Sequence, residues 1–279
     1  MTTDIHTHIG AVEHFSQAYL EEALRANIPS EKVMADPDKH YALTRSTDRV
    51  AVLAFNAPFS GYIVPNDYIA SYIKRDPERL VGFMSVDPNE PGCLEEMERC
   101  YSVLGLRGLK LMPMYQNFQP DDREKAYPIY ELAQRLGLSI IFHMGTTYTR
   151  GSRLSYTRPI LLEAVALDFP GLKMVIAHMG HPYESETIVL IRKQPNLYAD
   201  VSALFKRPWQ LYNSLRLAYE YGVFGKLFFG TDFPFATMEE TKAGLLAVSA
   251  FAAKAGLPEV PEELIKQVIH RDSLSVLGL

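Results

Sequence analysis

Short apolar runs alternate with longer amphipathic segments along the whole chain, and this alternation restricts the fold more than any other feature. Eight runs rich in β-branched and aromatic residues lie at 3–8, 50–55, 80–86, 106–112, 138–144, 172–178, 196–201 and 226–232. Segments of helical periodicity lie at 12–26, 66–79, 93–104, 122–136, 159–169, 184–193, 208–221 and 238–255. Nearly continuous apolar runs are typical of parallel strands covered by helices. Eight such units predict an α/β fold, a (β/α)8 TIM barrel, since open doubly wound sheets usually have fewer strands.

One barrel accounts for almost the entire length. The chain has 279 residues, of which 47% are hydrophobic, and a barrel of this kind typically needs about 250. No linker, low-complexity tract or repeat of 20–50 residues divides the sequence. We therefore predict a single domain over 1–279, in which 261–279 forms a C-terminal extension of one or two helices packed on the outside.

Composition excludes several classes of partner. The 28 basic and 33 acidic side chains give a net charge of −5. This charge does not indicate the basic surface that binding of nucleic acid requires. No apolar run approaches the ~20 residues of a membrane-spanning helix, and the N-terminus lacks the features of a signal peptide. We expect no nucleic-acid or membrane partner and a cytoplasmic location. The absence of a glycine-rich phosphate loop after the first strand argues against a nucleotide cofactor.

Side chains that can bind a metal or transfer a proton interrupt the apolar runs near their C-terminal ends. His6 and His8 lie at the end of the first run, His143 lies near the end of the fifth, His178 ends the sixth and Asp232 ends the eighth. Lys110 lies within the fourth run. Active-site residues of TIM barrels come from the C-terminal ends of the strands. The pattern therefore predicts that these side chains share one site.

The residue types at these ends are those of a metal centre. Side chains two apart on a strand share a face, so His6 and His8 are expected to converge. Imidazoles with a carboxylate suit Zn²⁺ or another borderline divalent ion, which lowers the pKa of a bound water. Each residue alone has an ordinary explanation, because a single histidine can be a core residue and Asp232 can cap a turn. Their shared placement favours the metal site.

The motif set resembles that of the amidohydrolase superfamily. The matching segments are DIHTH at 4–8, GLKL at 108–111, FH at 142–143, AHMG at 177–180 and GTDFP at 230–234. The set is more closely similar to the amidohydrolase-related branch, also called amidohydrolase 2. That branch includes metal-dependent hydrolases and enzymes like aminocarboxymuconate semialdehyde decarboxylase. The resemblance covers essentially the whole chain, strand by strand, and is specific for the superfamily but not for a substrate.

The resemblance implies a role for each matching residue. His6, His8, His143 and Asp232 would be metal ligands, and Asp232 would also transfer the proton. His178 would bind a second metal or hydrogen-bond the water or substrate, stabilising developing negative charge. One ion is expected, Zn²⁺ above all, with a second ion only if Lys110 is carbamylated.

Lys110 has two further interpretations. In the two-metal branches the lysine of strand four is carbamylated and bridges the ions, whereas the decarboxylase-like branch usually works with one metal. Lys110 could instead pair with a substrate carboxylate, or be a buried lysine whose stem packs in the barrel. The sequence leaves all three open.

Three functions are consistent with these residues. The leading hypothesis is hydrolysis of an amide, lactone or related bond of a small, carboxylated substrate by a metal-activated water. The alternative keeps the same site for non-oxidative decarboxylation of an aromatic or unsaturated acid. A barrel that binds metal without catalysis is the third hypothesis, and the completeness of the ligand set argues against it.

The loop after the fifth run suggests a substrate contact. Segment 146–158 contains Tyr148, Arg150 and Arg153 among hydroxyl residues, and these could clamp a carboxylate or form a solvated loop. Trp209 could contribute to an aromatic wall, and 206–207 (Lys-Arg) could contribute to an anion site. The modest chain length favours a small-molecule substrate held close to the metal. Related barrels commonly pair, so a homodimer is a plausible assembly.

Overall fold

The computed structural model describes residues 1–279, except for the side chain of Glu31. Its strands are β1 (Thr3–Thr7), β2 (Arg49–Leu53), β3 (Phe55–Ala57), β4 (Tyr62–Val64), β5 (Leu80–Met84), β6 (Gly108–Leu111), β7 (Ser139–Phe142), β8 (Met174–Ile176), β9 (Leu197–Asp200) and β10 (Leu227–Phe228). Its helices are α1 (Gln17–Arg25), α2 (Pro37–Leu43), α3 (Asn66–Ile73), α4 (Cys93–Ser102), α5 (Pro113–Gln116), α6 (Tyr127–Leu136), α7 (Leu162–Asp168), α8 (Glu184–Lys193), α9 (Pro208–Glu220), α10 (Met238–Ala255), α11 (Glu262–Ile269) and α12 (Ser273–Leu277).

Eight parallel strands form one sheet in the order β1-β2-β5-β6-β7-β8-β9-β10. Backbone hydrogen bonds close the sheet between its first and last strands, from Ile5 N to Phe229 O at 3.2 Å and from Asp232 N to His6 O at 2.8 Å. A parallel bridge between Thr7 and Phe233 extends this closure. The predicted (β/α)8 barrel is confirmed, and each of the eight predicted runs overlaps one of these strands.

Local sequence explains where several helices begin and end. Helix α10 begins at a capping box in which Thr237 and Glu240 each accept a hydrogen bond from the other's backbone N–H. It ends at Gly256, whose φ of +63° suits glycine. The predicted helix over 12–26 is shorter, because Phe15 is extended and Ser16 caps α1 by accepting from Tyr19 N at 3.2 Å. No described helix is long and apolar enough to cross a membrane.

An antiparallel hairpin, β3 with β4, was not predicted. It directly follows β2, so the apolar run over 50–55 merges the end of a barrel strand with the start of the hairpin. Its turn needs Gly61, which has a φ of +76° and where a Cβ would lie 2.0 Å from Ser16 Oγ. The hairpin brings the rings of Phe55 and Tyr62 together at 4.0 Å between centroids, beside the C-terminal end of β1.

The C-terminal extension forms two helices, but the expectation that it packs on the outside is wrong for α12. Leu274 and Leu277 are buried in one cluster with the residues that fill the barrel. The other members of that cluster include Ile5, Ala51, Leu53, Phe83, Ile141, Val175 and Phe228. Ser139 Oγ, at the start of β7, donates to Leu277 O at 2.8 Å. Helix α12 therefore closes the amino-terminal end of the barrel, opposite the predicted site.

Candidate metal centre and cavity

The C-terminal strand ends bring three candidate ligands together. One ligand atom each from His6, His178 and Asp232 lies within 4.8 Å of the other two, and all three residues are buried. A shift of pairing register between Asp4 and Thr7 in β1 helps to produce this arrangement. Ile5 packs in the barrel cluster, while His6 also reaches the interior and contacts Lys110 and Asp200.

Asp200, at the end of β9, determines which nitrogen of His6 faces the site. Its Oδ2 lies 2.8 Å from His6 Nδ1. Burial raises the pKa of this carboxyl, but the charge interaction and hydrogen bond with His6 outweigh burial and bring the pKa below its usual range. An ionised carboxylate only accepts, so His6 Nδ1 carries the hydrogen. In the neutral imidazole of His6 the lone pair is then on Nε2, which lies 3.5 Å from Asp232 Oδ1.

Ser202 determines which nitrogen of His178 carries the hydrogen, as Asp200 does for His6. The Ser202 hydroxyl donates its only hydrogen to Asp200 Oδ1. It must therefore accept from His178 Nδ1, which lies 2.7 Å away. Asp200 Oδ1 also accepts from the backbone N–H groups of His178 and Ser202 at 2.9 and 3.0 Å. His178 is consequently held as the Nδ1–H tautomer, with the lone pair on Nε2.

The protonation states suit a divalent cation. Burial lowers the pKa of His178 to about 3 and that of His8 to about 4, so both imidazoles are neutral at pH 7. Burial raises the pKa of Asp232, but the charge interaction with His178 and the hydrogen bond from His8 hold it well below its usual value. Neutral imidazoles and an ionised carboxylate are the forms that bind Zn²⁺ and related ions.

His8 and His143 border this group. His8 Nε2 lies 3.2 Å from Asp232 Oδ1, and among the described residues its buried Nδ1 has no hydrogen-bond partner. His143 Nε2 lies 3.1 Å from Thr146 O and must donate to it, which leaves the lone pair on Nδ1. The rings of His143 and His178 are 5.0 Å apart between centroids. The role of His143 as a ligand stays a prediction.

Two of the grouped residues have a left-handed backbone. His178 has a φ of +56° and Asp232 a φ of +59°, a region that costs roughly 1 kcal/mol or more for a residue other than glycine. The hydrogen bonds from His178 N to Asp200 and from Asp232 N to His6 O hold these conformations. Such strain concentrates at functional sites, where it aims side chains that a regular strand would direct elsewhere.

Lys110 lies beneath His6. Its side chain is fully buried, and Nζ lies 3.2 Å from His6 Nε2, to which it can donate. Burial lowers the pKa of Lys110 to about 8. Lys110 lies behind the cavity wall, so a direct pairing with a substrate carboxylate receives no support from its position.

The residues present fit a divalent metal ion. The tautomers of His6 and His178 present two lone pairs toward the carboxylate of Asp232. Asp200 also supplies the carboxylate partner that metal-bound histidines typically have behind them. Asp200 and Ser202 were missed by the sequence reasoning. The signal for Asp200 was present, because it lies near the end of the seventh run, as the predicted ligands lie near the ends of theirs.

Further contacts support the metal-facing residues from behind. Asp4 accepts from Thr231 Oγ1 at 2.7 Å and from Thr231 N at 3.0 Å, which ties β1 to the segment carrying Asp232. Burial raises the pKa of Asp4 to about 7. Buried His40 contacts Thr7 Oγ1 at 2.9 Å through Nε2 and Tyr72 Oη at 2.6 Å through Nδ1. Thr7 is the last residue of β1 and lies between His6 and His8, so His40 supports the position of that strand end.

A cavity of about 710 Å³ opens above the metal centre, within the usual range for small-molecule sites. Asp232, His8, His143 and His178 lie on its wall. Aromatic side chains form much of the remaining wall, namely Tyr19, Phe55, Tyr62, Tyr115, Tyr148, Phe205 and Phe235. The hydroxyls of Tyr148 and Tyr19 are 2.5 Å apart.

Of the four predicted substrate contacts, only Tyr148 is on the cavity wall. Arg150 is 74% exposed and pairs with Glu22 in α1 at 2.7 Å. Arg153 is exposed and lies 5.8 Å from the ring of Tyr156, and Trp209 is 59% exposed. None of these three lines the cavity. The loop therefore does not place the expected arginines in the cavity, and Arg150 instead links the loop to α1 through its ion pair with Glu22.

A barrel that gathers imidazoles and a carboxylate at its C-terminal strand ends defines a class of metal-dependent barrel enzymes. Comparison with known proteins agrees. A family model described as Amidohydrolase matches residues 3–279, and the chain belongs to this family. The predicted resemblance is confirmed.

Two curated relatives differ in their reactions. A dihydroorotase of Helicobacter pylori strain HPAG1 is 31% identical over 195 residues, covering 62% of this chain and 55% of that protein. A 2-amino-3-carboxymuconate-6-semialdehyde decarboxylase of Dictyostelium discoideum is 23% identical, covering 77% and 65%. The chain thus spans about half the length of the first curated relatives it matches.

A solved structure shares the fold over the whole chain. It is a dihydroxybenzoic acid decarboxylase from Polaromonas sp. JS666 with bound manganese and the inhibitor 2-nitroresorcinol. The TM-score is 0.68 at 17% identity, with 100% of this chain and 98% of that chain covered. At this identity the likeness concerns the fold alone.

Proposed function

We propose that this chain is a metal-dependent hydrolase that cleaves an amide, lactone or related C–N or C–O bond of a small molecule. The amidohydrolase family membership and the dihydroorotase relative support this reaction class. The observation that carries the proposal is that His6 Nε2, His178 Nε2 and the Asp232 carboxylate all face the centre as acceptors.

His6 and His8 both lie against Asp232, with Nε2 at 3.5 and 3.2 Å from Oδ1, and these three residues would hold the ion. His143, as the resemblance implies, or His178, as the geometry favours, would complete the set. When bound, a divalent ion lowers the pKa of water and polarises a carbonyl group. We propose Zn²⁺ as the native ion, although the dihydroxybenzoic acid decarboxylase structure contains manganese. One ion per chain is expected with unmodified Lys110.

Asp232 is suited to move the proton. It is ionised at neutral pH, lies on the cavity wall, and can accept the proton of the attacking water and pass it to the leaving group. His178 presents a lone pair, so in this tautomer it accepts a hydrogen bond and does not donate one to a developing oxyanion. This differs from the charge-stabilising role that the resemblance suggested.

The same geometry favours hydrolysis over decarboxylation. Hydrolysis by water needs a proton acceptor at the start, and Asp232 supplies one. Decarboxylation needs an acid that protonates the carbon from which CO₂ leaves. His178 and His8 have low pKa values and are poor acids at neutral pH.

Decarboxylation of an aromatic acid is the second candidate, and the cavity wall supports it. Phe55, Tyr62 and Tyr115 can stack on a flat ring. Burial raises the pKa of Tyr115 to about 12, so its hydroxyl is protonated at neutral pH and available as a donor. The Dictyostelium relative is named as a decarboxylase.

Isotope labelling separates the two reactions. The zinc-loaded protein is incubated with lactones, cyclic amides and hydroxylated benzoates in H₂¹⁸O and, separately, in D₂O. Hydrolysis predicts ¹⁸O in the product carboxylate, whereas decarboxylation predicts CO₂ release and deuterium on the product carbon. His8→Ala should lose the activity, and His270→Ala, at an exposed histidine outside the cavity, should keep it. CO₂ release without ¹⁸O incorporation, or full turnover after chelation, would overturn the proposal.

A further inference from the structure

The cavity has a cationic mouth in addition to its metal centre. Lys32, Lys206 and Arg207 all line it. Lys32 belongs to a short 3₁₀ helix over Ser30–Lys32, whereas Lys206 and Arg207 follow β9 and precede α9. Two separate segments thus direct positive charge to one opening. Among the described side chains on the cavity wall, Asp232 is the carboxylate, and it belongs to the metal centre.

Lys206 and Arg207 are anchored by backbone carbonyls. Lys206 Nζ donates to Phe235 O at 3.0 Å, and Arg207 Nη1 donates to Ala203 O at 3.2 Å. Phe235 and Ala203 are themselves part of the cavity wall. Both cations keep further N–H groups, because an ammonium has three donors and a guanidinium five.

Nearby titratable groups show how this charge is distributed. The pKa of Glu240 is lowered mainly by the hydrogen bond from Thr237 N, and further by Lys32 and Lys206. Glu240 therefore offsets part of the lysine charge. Burial, and after it the charge of Arg207, lower the pKa of His181, on the cavity wall, to about 4. His181 is therefore neutral at pH 7 and adds no charge of its own to this opening.

We propose that Arg207 and Lys206, assisted by Lys32, form an anion subsite for a carboxylate or phosphate group at the end of the substrate remote from the cleaved bond. This inference rests on the proposed function and specifies its substrate class. The aromatic side chains of the cavity wall can accommodate the apolar middle of such a molecule. A cavity of about 710 Å³ admits a larger substrate than the small one expected from chain length.

Binding of inert probes tests the subsite without turnover. Calorimetric titration of the zinc-loaded protein compares 4-phenylbutyrate, its uncharged amide, and 3-phenylpropyl phosphate. The native protein should bind at least one of the two anions about tenfold more tightly than the amide. The anion with the larger advantage identifies carboxylate or phosphate as the preferred group.

Substitutions locate that preference. Arg207→Ala should weaken anion binding about tenfold and leave amide binding unchanged. Arg207→Lys should recover part of the loss, since the charge returns without the guanidinium fork. Arg45→Ala is the matched control, because Arg45 is exposed just before β2, at the opposite end of the barrel, and should bind all probes normally. Thermal unfolding verifies that each variant is folded.

Two results would overturn the subsite. One is equal affinity of the native protein for the anions and the amide. The other is an anion preference that survives Arg207→Ala combined with Lys206→Ala but disappears on removal of the metal, which would place the anion at the metal centre. Either result leaves the proposed hydrolysis unaffected. Conversely, a protein that incorporates no ¹⁸O in the labelling experiment, and so fails the test of hydrolysis, can still bind anions at the subsite.

Discussion

Replacement of Asp200 by Asn is the sharpest test of the metal centre. Asn has nearly the same shape, and its Oδ1 can still accept from His178 N and Ser202 N. Its Nδ2 group, however, is a donor and would face His6 Nδ1, where the native carboxylate accepts at 2.8 Å. To avoid two opposed donors, His6 must move its hydrogen from Nδ1 to Nε2. The nitrogen that faces the metal position then loses its lone pair.

The magnitude follows from the loss of this carboxylate partner. Removing the carboxylate behind a metal-bound histidine typically costs 10- to 100-fold in metal affinity. The lost charge-assisted hydrogen bond contributes about 1.5–3 kcal/mol to folding stability. Because the folded pKa of Asp200 is lowered from 3.8, this contribution is complete above about pH 4 and is lost as the pH falls further.

Competition with a chromophoric chelator measures the affinity of each variant for Zn²⁺. Asp87→Asn is the control, since Asp87 is also buried and accepts from the Asn89 backbone and side chain, away from the histidines. Asp200→Asn should bind Zn²⁺ 10- to 100-fold more weakly, and Asp87→Asn should bind it normally. Native affinity in Asp200→Asn would refute the tautomer argument for His6.

Three further predictions concern stability and metal content. Leu277→Ala should lower the free energy of unfolding by about 2–5 kcal/mol in denaturant titrations, because Leu277 of α12 is buried at the base of the barrel. The control Leu167→Ala changes an exposed residue and should lower it by less than about 0.5 kcal/mol. A similarly small loss for Leu277→Ala would contradict the placement of α12. Burial lowers the pKa of His40 to about 3, so between pH 6.5 and about 3 only the unfolded state binds this proton, and His40 contributes about 1.4 kcal/mol per pH unit to the loss of native stability. Other buried histidines with lowered pKa values, such as His8 and His178, add to the total slope. His40→Gln should reduce the slope by about 1.4 kcal/mol per pH unit, and an unchanged slope would show that His40 does not contribute. Elemental analysis and intact mass should give one divalent ion per chain and an unmodified Lys110, and two ions with a carbamate mass would contradict the proposed single-metal site.

Sequence pattern predicted the architecture because barrel strands and helices are repetitive and locally encoded. Each apolar run is long enough to identify a buried parallel strand, and caps such as Thr237 and Gly256 mark helix ends. The hairpin of β3 and β4 was missed because Phe55 continues the apolar run of β2 without a break. The position of α12 was missed because a short amphipathic helix packs equally well on a barrel wall or across its base.

Candidate ligands were predictable because the rule for TIM barrels depends on position along the chain. His6 lies near the end of β1, and His8, His143, His178 and Asp232 follow strands. The structure places the latter four on the wall of one cavity and His6 against Asp232. This positional rule does not apply to Arg150 and Arg153, the expected substrate contacts, because they lie in a loop. An arginine in a loop pairs with whichever carboxylate the fold brings near, and for Arg150 that partner is Glu22 of α1.

The sequence by itself determined the fold class, the family and the residue types of the metal centre, because these depend on periodicity and on order along the chain. Only the tertiary structure decided which nitrogen of each histidine faces the centre. That choice depends on Asp200 and Ser202, which are 194 and 24 residues from the histidines they orient. A hydrogen bond between distant residues leaves no local pattern in the sequence, so the acceptor geometry that favours hydrolysis appears only when the barrel closes.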